Sequence, residues 1–195
     1  MNRVDRLLQR WRIGQVVPWI RDGARVLDVG CFDAALFAVL GPRIAVGIGL
    51  DPLLREPVSG ERFRLVPGHF PDARVAEGPF DVITMLAVLE HVAPAALERW
   101  TRACAELLVP GGLVIVTVPA PAVDLILHVL MRLRILHGMS VEEHHGFEPE
   151  LTPKVFGREG FTLRHRARFQ LGLNNLFVFA KPATPVDSAA SRGRS

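Results

Sequence analysis

The run Ala24–Asp51, ARVLDVGCFDAALFAVLGPRIAVGIGLD, decides the fold. Ala24 to Val29 is a short β-rich run that ends at Gly30, and Ala34 to Leu40 then reads as a helix closed by Gly41-Pro42. Ile44 to Leu50 is a second apolar run, ending in Asp51-Pro52. Strand, helix, strand in this order is a crossover unit, so the two strands lie parallel in one sheet. Strands this uniformly apolar are buried on both faces.

The alternation continues outward. Arg62 to Val66 reads as a third strand and Phe80 to Leu86 (FDVITML) as a fourth. Ala95 to Leu108 reads as a helix stopped by Pro110-Gly111-Gly112, and Leu113 to Val118 (LVIVTV) as a fifth strand. Upstream, Val4, Leu7, Leu8, Trp11 and Gln15 recur at helical spacing and predict an amphipathic helix within residues 1–21. The last third opens with an apolar helix-like stretch, Val123 to Leu136, and a His/Glu-rich loop, Glu142 to Glu150. Pro149 to Glu159 reads as a further helix. Phe161 to Phe169 and Asn174 to Lys181 read as an antiparallel hairpin turning near Gly172. The expectation is one α/β domain over residues 1–182 with a mostly parallel sheet, and a disordered tail at 183–195.

Composition narrows the function classes. A chain of 195 residues suits one full-sized core, and 49% hydrophobic content excludes a disordered protein. The two cysteines, Cys31 and Cys104, make neither a disulfide framework nor a zinc-type pair. The start, MNRVDRLLQRWRIGQ, lacks the apolar core of a signal peptide, and Asp124, Arg132 and Arg134 interrupt the longest apolar run, so a cytoplasmic setting is expected. All basic residues but Lys154 and Lys181 are arginines, clustered at Arg3, Arg6, Arg10 and Arg12 and again from Arg164 to Arg168. These are either solvated faces or an attraction to an anionic substrate or a membrane surface. No basic motif interleaved with aromatics occurs, which disfavours nucleic acid.

In an open parallel sheet, ligands bind beyond the carboxyl ends of the strands, where strand order reverses. Four such ends carry candidates: Asp28-Val29-Gly30, Asp51, Gly68-His69-Phe70, and Leu86 to His91. The spacing of Asp51 from the first turn suits an acid that hydrogen-bonds ribose hydroxyls. Plainer roles compete: Asp28 as a helix cap, Glu90 and His91 as the start of the next helix, Cys31 as a packed small residue.

At this point the residues resemble a family. VLDVGCFDAALFAVL looks like the first motif of class I, S-adenosylmethionine-dependent methyltransferases of the small-molecule type, and GIGLD, ending at Asp51, like the second. FDVITMLAVLEHV (Phe80–Val92) resembles the fourth-strand motif, LLVPGGLVIVTVP (Leu107–Pro119) the fifth, and the closing hairpin the family's antiparallel ending. The resemblance implies a three-layer Rossmann-like fold with a seven-stranded sheet, and S-adenosyl-L-methionine as cofactor. It places Asp28, Gly30, Cys31, Phe32, Asp51, Pro52, Gly68, His69, Phe70, Leu86 and Ala87 around that cofactor. It also implies a lid or insert at residues 119–150 on the side of a small-molecule or amphiphilic acceptor. The sequence departs from the pattern in the first turn, where Phe32 and Ala34 stand at glycine positions, and at His69, where relatives carry an acid.

Glu142-Glu143-His144-His145 reads three ways. Adjacent side chains point apart and no third ligand completes a set, so no metal site is expected. One histidine can serve as a general base, with a pKa near neutrality, or the loop is simply solvated. His144, His145 and His91 are the candidate bases for transfer to a small-molecule, glycan or lipid-linked acceptor. Two rivals share the fold logic: an NAD(P)-dependent dehydrogenase, disfavoured by the missing GxGxxG turn, and a non-catalytic relative that only binds.

Overall fold

The computed structural model describes residues 3–72, 78–120 and 149–183. Helix α1 (Arg3–Val16) leads into a short 3-10 turn at Val17–Trp19. Strand β1 (Arg25–Val29), helix α2 (Ala35–Leu40) and strand β2 (Val46–Asp51) form the crossover unit, as expected. β3 (Val58–Ser59), β4 (Phe63–Pro67) and β5 (Phe80–Leu86) follow, then α3 (Leu97–Leu107) and β6 (Leu108–Pro119). A short helix α4 (Thr152–Arg158) and the hairpin β7 (Thr162–Phe169) and β8 (Asn174–Ala180) complete the described chain.

Among the described residues the sheet has eight strands in the order β3-β4-β2-β1-β5-β6-β8-β7. The five from β4 to β6 pair in parallel, while β8 runs antiparallel to both β6 and β7. The strand beyond the expected seven is β3, two exposed residues antiparallel to the edge of β4. It is too short and too solvated to leave a hydrophobic pattern in the sequence.

Two cores lie on either side of the sheet, giving three layers. Ile13 and Val16 of α1 and Leu36, Phe37 and Leu40 of α2 cover one face. Leu97 and Cys104 of α3 and Phe156 of α4 cover the other. Every residue of β8 is buried, because it is flanked by strands and covered on both faces. Its Phe179 stacks on Phe156 with ring centroids 4.5 Å apart. The Lys181 ammonium donates to the Ala105 and Leu108 carbonyls at the end of α3, satisfying oxygens that the helix leaves unpaired.

Two element boundaries differ from the expectation. Residues 4–21 do not form one helix: α1 ends at Val16 because Pro18 has no N–H to continue it. Pro110-Gly111-Gly112 does not separate a helix from a strand but lies inside β6, where the Gly111 N–H donates to the Lys181 carbonyl and the Lys181 N–H to the Gly112 carbonyl. Residues 121–148, which hold the expected apolar helix and most of the insert, and residues 184–195 of the expected tail fall outside the described residues. Among the described residues no helix is long and apolar enough to cross a membrane.

Candidate functional site

Strand order reverses at β1, which has β2 on one side and β5 on the other. Beyond these carboxyl ends lies the turn of residues 30–34, with three positive-φ residues. Gly30 has φ +78°, and a Cβ there would run into the Val88 side chain at 2.5 Å, so glycine is required twice over. Phe32 (φ +31°) and Ala34 (φ +57°) adopt the conformation that the family's glycines would suit. Both positions thus hold left-handed backbone without glycine. The turn is held by hydrogen bonds from the Gly30 N–H to the Leu50 carbonyl, 2.8 Å, and from the Ala34 N–H to the Cys31 carbonyl, 3.1 Å.

Asp51, at the end of β2, supports the same turn. One carboxylate oxygen accepts the Phe32 N–H at 3.0 Å and the other the Leu53 N–H at 2.8 Å. Each oxygen keeps a lone pair for a further donor. Asp28 is buried at the end of β1, where it accepts the Thr84 hydroxyl at 2.6 Å. Burial raises its pKa to about 7, with the nearby Asp33 and Asp51 charges adding to the rise and the Thr84 hydrogen bond opposing it.

Asp28 and the Gly30 turn meet in a cleft of about 50 Å³ bordered by Asp28, Gly30, Cys31, Asp33 and Leu86 on the sheet side. Its other wall is α1, through Gln9, Arg12 and Ile13. The Gln9 side-chain amide donates to both Asp33 carboxylate oxygens, at 3.0 and 3.1 Å, and fixes the helix over the turn. The Arg12 guanidinium is largely desolvated, which lowers its pKa, and the charge of buried Glu90 works against that shift. Arg12 Nε is buried with no hydrogen-bond partner among the described residues.

Of the expected cofactor residues, Asp28, Gly30, Cys31 and Leu86 line this cleft and Asp51 braces it. Phe32 is 57% exposed and does not line the cleft. Cys31 is a packing residue as well: its sulfur fills the space that a Cβ on Gly49 would need, and burial pushes its thiol pKa up. Pro52 and His69 are exposed on the loops after β2 and β4, and half-buried Gly68 donates its N–H to the Asp51 carbonyl. The Phe70 side chain packs edge-on against Trp100, centroids 5.1 Å apart, in the core. Ala87 turns the chain after β5, its N–H donating to the Thr117 carbonyl and hydroxyl. His91 is exposed in the 3-10 turn that follows. His144 and His145 fall outside the described residues.

Sequence reasoning missed Arg12 and Gln9 because it treated α1 as a separate amphipathic helix. A signal was present: Arg12 stands four residues before buried Val16, placing a charge beside the helix's buried stripe. A larger hollow of about 300 Å³ lies between the start of α3 and α4, but none of its lining residues belongs to a strand end. Among the described residues, no cluster of His, Cys, Asp and Glu has the composition of a metal site.

Comparison with known proteins bears on the family and the fold. Residues 2–164 match the model of a family described as a methyltransferase domain. The chain is 36% identical over 112 residues to the ubiquinone biosynthesis O-methyltransferase of Stutzerimonas stutzeri, covering 49% of this chain and 47% of that protein. It is 32% identical over 123 residues to the enzyme of the same name from Leptothrix cholodnii, covering 57% and 50%. The chain thus spans about half the length of these curated relatives. Among solved structures, the magnesium protoporphyrin IX methyltransferase of Synechocystis, with bound S-adenosylhomocysteine, superposes with a TM-score of 0.67 at 19% identity, covering 93% of this chain and 88% of that one. An N-methyltransferase from Bradyrhizobium japonicum gives 0.65 at 16% identity, covering 89% and 96%.

Proposed function

The chain belongs to the methyltransferase-domain family, and from that premise we propose that it transfers a methyl group from S-adenosylmethionine to an oxygen of a small or amphiphilic acceptor. The observation that carries this reading is the convergence of the Gly30 turn, Asp28 and desolvated Arg12 on one cleft at the point of strand reversal, with Asp51 bracing the turn from the end of β2. The O-methyltransferase name of the curated relatives supports oxygen as the accepting atom, and gives the glycan alternative no support. Two free, buried cysteines agree with a cytoplasmic setting.

The chemistry of the donor set supports the cofactor. When bound, it supplies a methyl group on a sulfonium that leaves as a neutral thioether, so neither metal nor oxyanion hole is needed. Asp51 would take the ribose hydroxyls on its remaining lone pairs. Arg12 would pair its stranded Nε–H with the cofactor's carboxylate, and the acidic groups Asp28 and Asp33 would favour its positive ammonium and sulfonium. The rest of the work is alignment of acceptor and methyl group and exclusion of water. A base among His91, His144 and His145 would remove the acceptor's proton.

Isothermal titration with S-adenosylhomocysteine tests the proposal, and Arg12→Gln should weaken that binding by about 1–3 kcal/mol, the magnitude of losing one charged hydrogen bond. A wild-type chain that binds neither cofactor nor product sinks it. A second reading, a module that binds without catalysing, draws on Phe32 and Ala34 in left-handed backbone. Tight binding with no methyl transfer to any phenolic or quinol acceptor would favour that alternative.

A further inference from the structure

The outer side of α1 is built for contact. Leu7 is 65% exposed and Trp11 44%, and their four-residue spacing puts them on one face. Leu8 borders that face, 39% exposed. Arg6 and Arg10, also four residues apart and exposed, run along its flank. A tryptophan-bearing apolar stripe edged with arginine suits the boundary between lipid headgroups and acyl chains.

A second element reaches the same place. The Gln170 side-chain amide donates to the Leu8 carbonyl at 2.8 Å, pinning the β7–β8 turn to α1. The next residue, Leu171, is 95% exposed. Gln170 (φ +51°) and Leu171 (φ +58°) both hold left-handed backbone, which is costly for residues with side chains. Strain that delivers a leucine into solvent beside an apolar stripe calls for a use.

We propose that this face, Leu7, Leu8 and Trp11 of α1 with Leu171 of the β7–β8 turn, docks the protein onto an anionic membrane surface. The charge decides between occupants. A second copy packed about a two-fold axis would bring the same patch against itself, arginine facing arginine. Anionic headgroups complement Arg6 and Arg10 instead. The opposite side of the same helix carries Gln9, Arg12 and Ile13 in the cleft, so docking would leave α1 between the bilayer and the cleft.

The test is co-sedimentation of the full chain with phosphatidylcholine–phosphatidylglycerol vesicles and with pure phosphatidylcholine vesicles. Binding should favour the anionic vesicles and weaken with added salt. Leu171→Ser, at an exposed turn, should lower the partition coefficient about tenfold. Leu7→Ser should do the same, and Arg10→Glu should lower anionic-vesicle binding about fivefold or more. Unchanged circular dichroism of Leu171→Ser will show that its fold is intact. Three results overturn the proposal: no vesicle binding by wild type, equal binding to both vesicle types, or binding indifferent to Leu171→Ser and Leu7→Ser. Self-association without vesicles that Leu171→Ser and Leu7→Ser abolish also overturns it and assigns the face to a second copy.

Discussion

Asp28 titrates near pH 7 because it is buried among other acids, and that gives the cleft a pH dependence with a definite sign. Its folded pKa, about 7, lies above the ordinary 3.8. The stabilising state is the protonated one, fully present below the unfolded pKa and lost as pH rises through the folded pKa. Asp28→Asn keeps an acceptor for Thr84 but removes the charge. Urea denaturation should therefore find the variant more stable than wild type at about pH 8, with the advantage shrinking toward about pH 4. A cationic ligand pulls the other way, since it favours the carboxylate. Affinity for S-adenosylmethionine should rise between about pH 6 and about pH 8, with proton release visible as a buffer-dependent heat in calorimetry. Equal affinity across that range would place the sulfonium and ammonium away from Asp28.

At the scale of elements, the turn from β1 into α2 is where family pattern and actual residues part company. Ala34 has φ +57° and ψ +16° at the start of α2, a conformation disfavoured by about 1–2 kcal/mol for a residue with a Cβ. Ala34→Gly relieves that strain but adds disorder to the unfolded chain, worth about 0.4–1 kcal/mol. The net gain should be about 1 kcal/mol, seen as a higher thermal midpoint. Ala35→Gly, one residue on and inside the helix, should instead lose about 1 kcal/mol. A loss in both variants would mean that the turn carries no strain. The buried strands β1, β2 and β5 and the second half of β6 were legible because burial on both faces writes mostly apolar runs into the chain. The edge strand Val58–Ser59 was not, since neither residue is buried and only pairing with β4 defines it. Pro110-Gly111-Gly112 misled because its partner, Lys181, lies far along the sequence. In the site, Asp28, Gly30 and Asp51 could be read from strand ends. Arg12 could not be placed in the cleft without knowing that α1 docks over the turn, a fact of packing rather than of pattern.

Across the whole molecule, α1 is held at both sides by residues distant in sequence: Asp33 through Gln9, and Gln170 through the Leu8 carbonyl. Gln170 is itself fixed by accepting the Asn174 side-chain amide at 2.6 Å. Because α1 brings Arg12 to the cleft, loosening it should be felt there. Gln170→Ala should weaken S-adenosylhomocysteine binding several-fold by titration, although Gln170 does not line the cleft. Unaltered affinity would show that the Gln9 contact alone positions the helix. The strand order has a different consequence, one of timing. β8, the last strand described, is inserted between β6 and β7. As the chain emerges from a ribosome, β6 must wait as an unprotected sheet edge and β7 has no neighbour at all until residues 174–180 arrive. The second core cannot close earlier, because Phe177 and Phe179 belong to that strand. Nascent chains halted before Asn174 should therefore be sticky, chaperone-bound species, and the domain should acquire protease resistance in one late step rather than strand by strand.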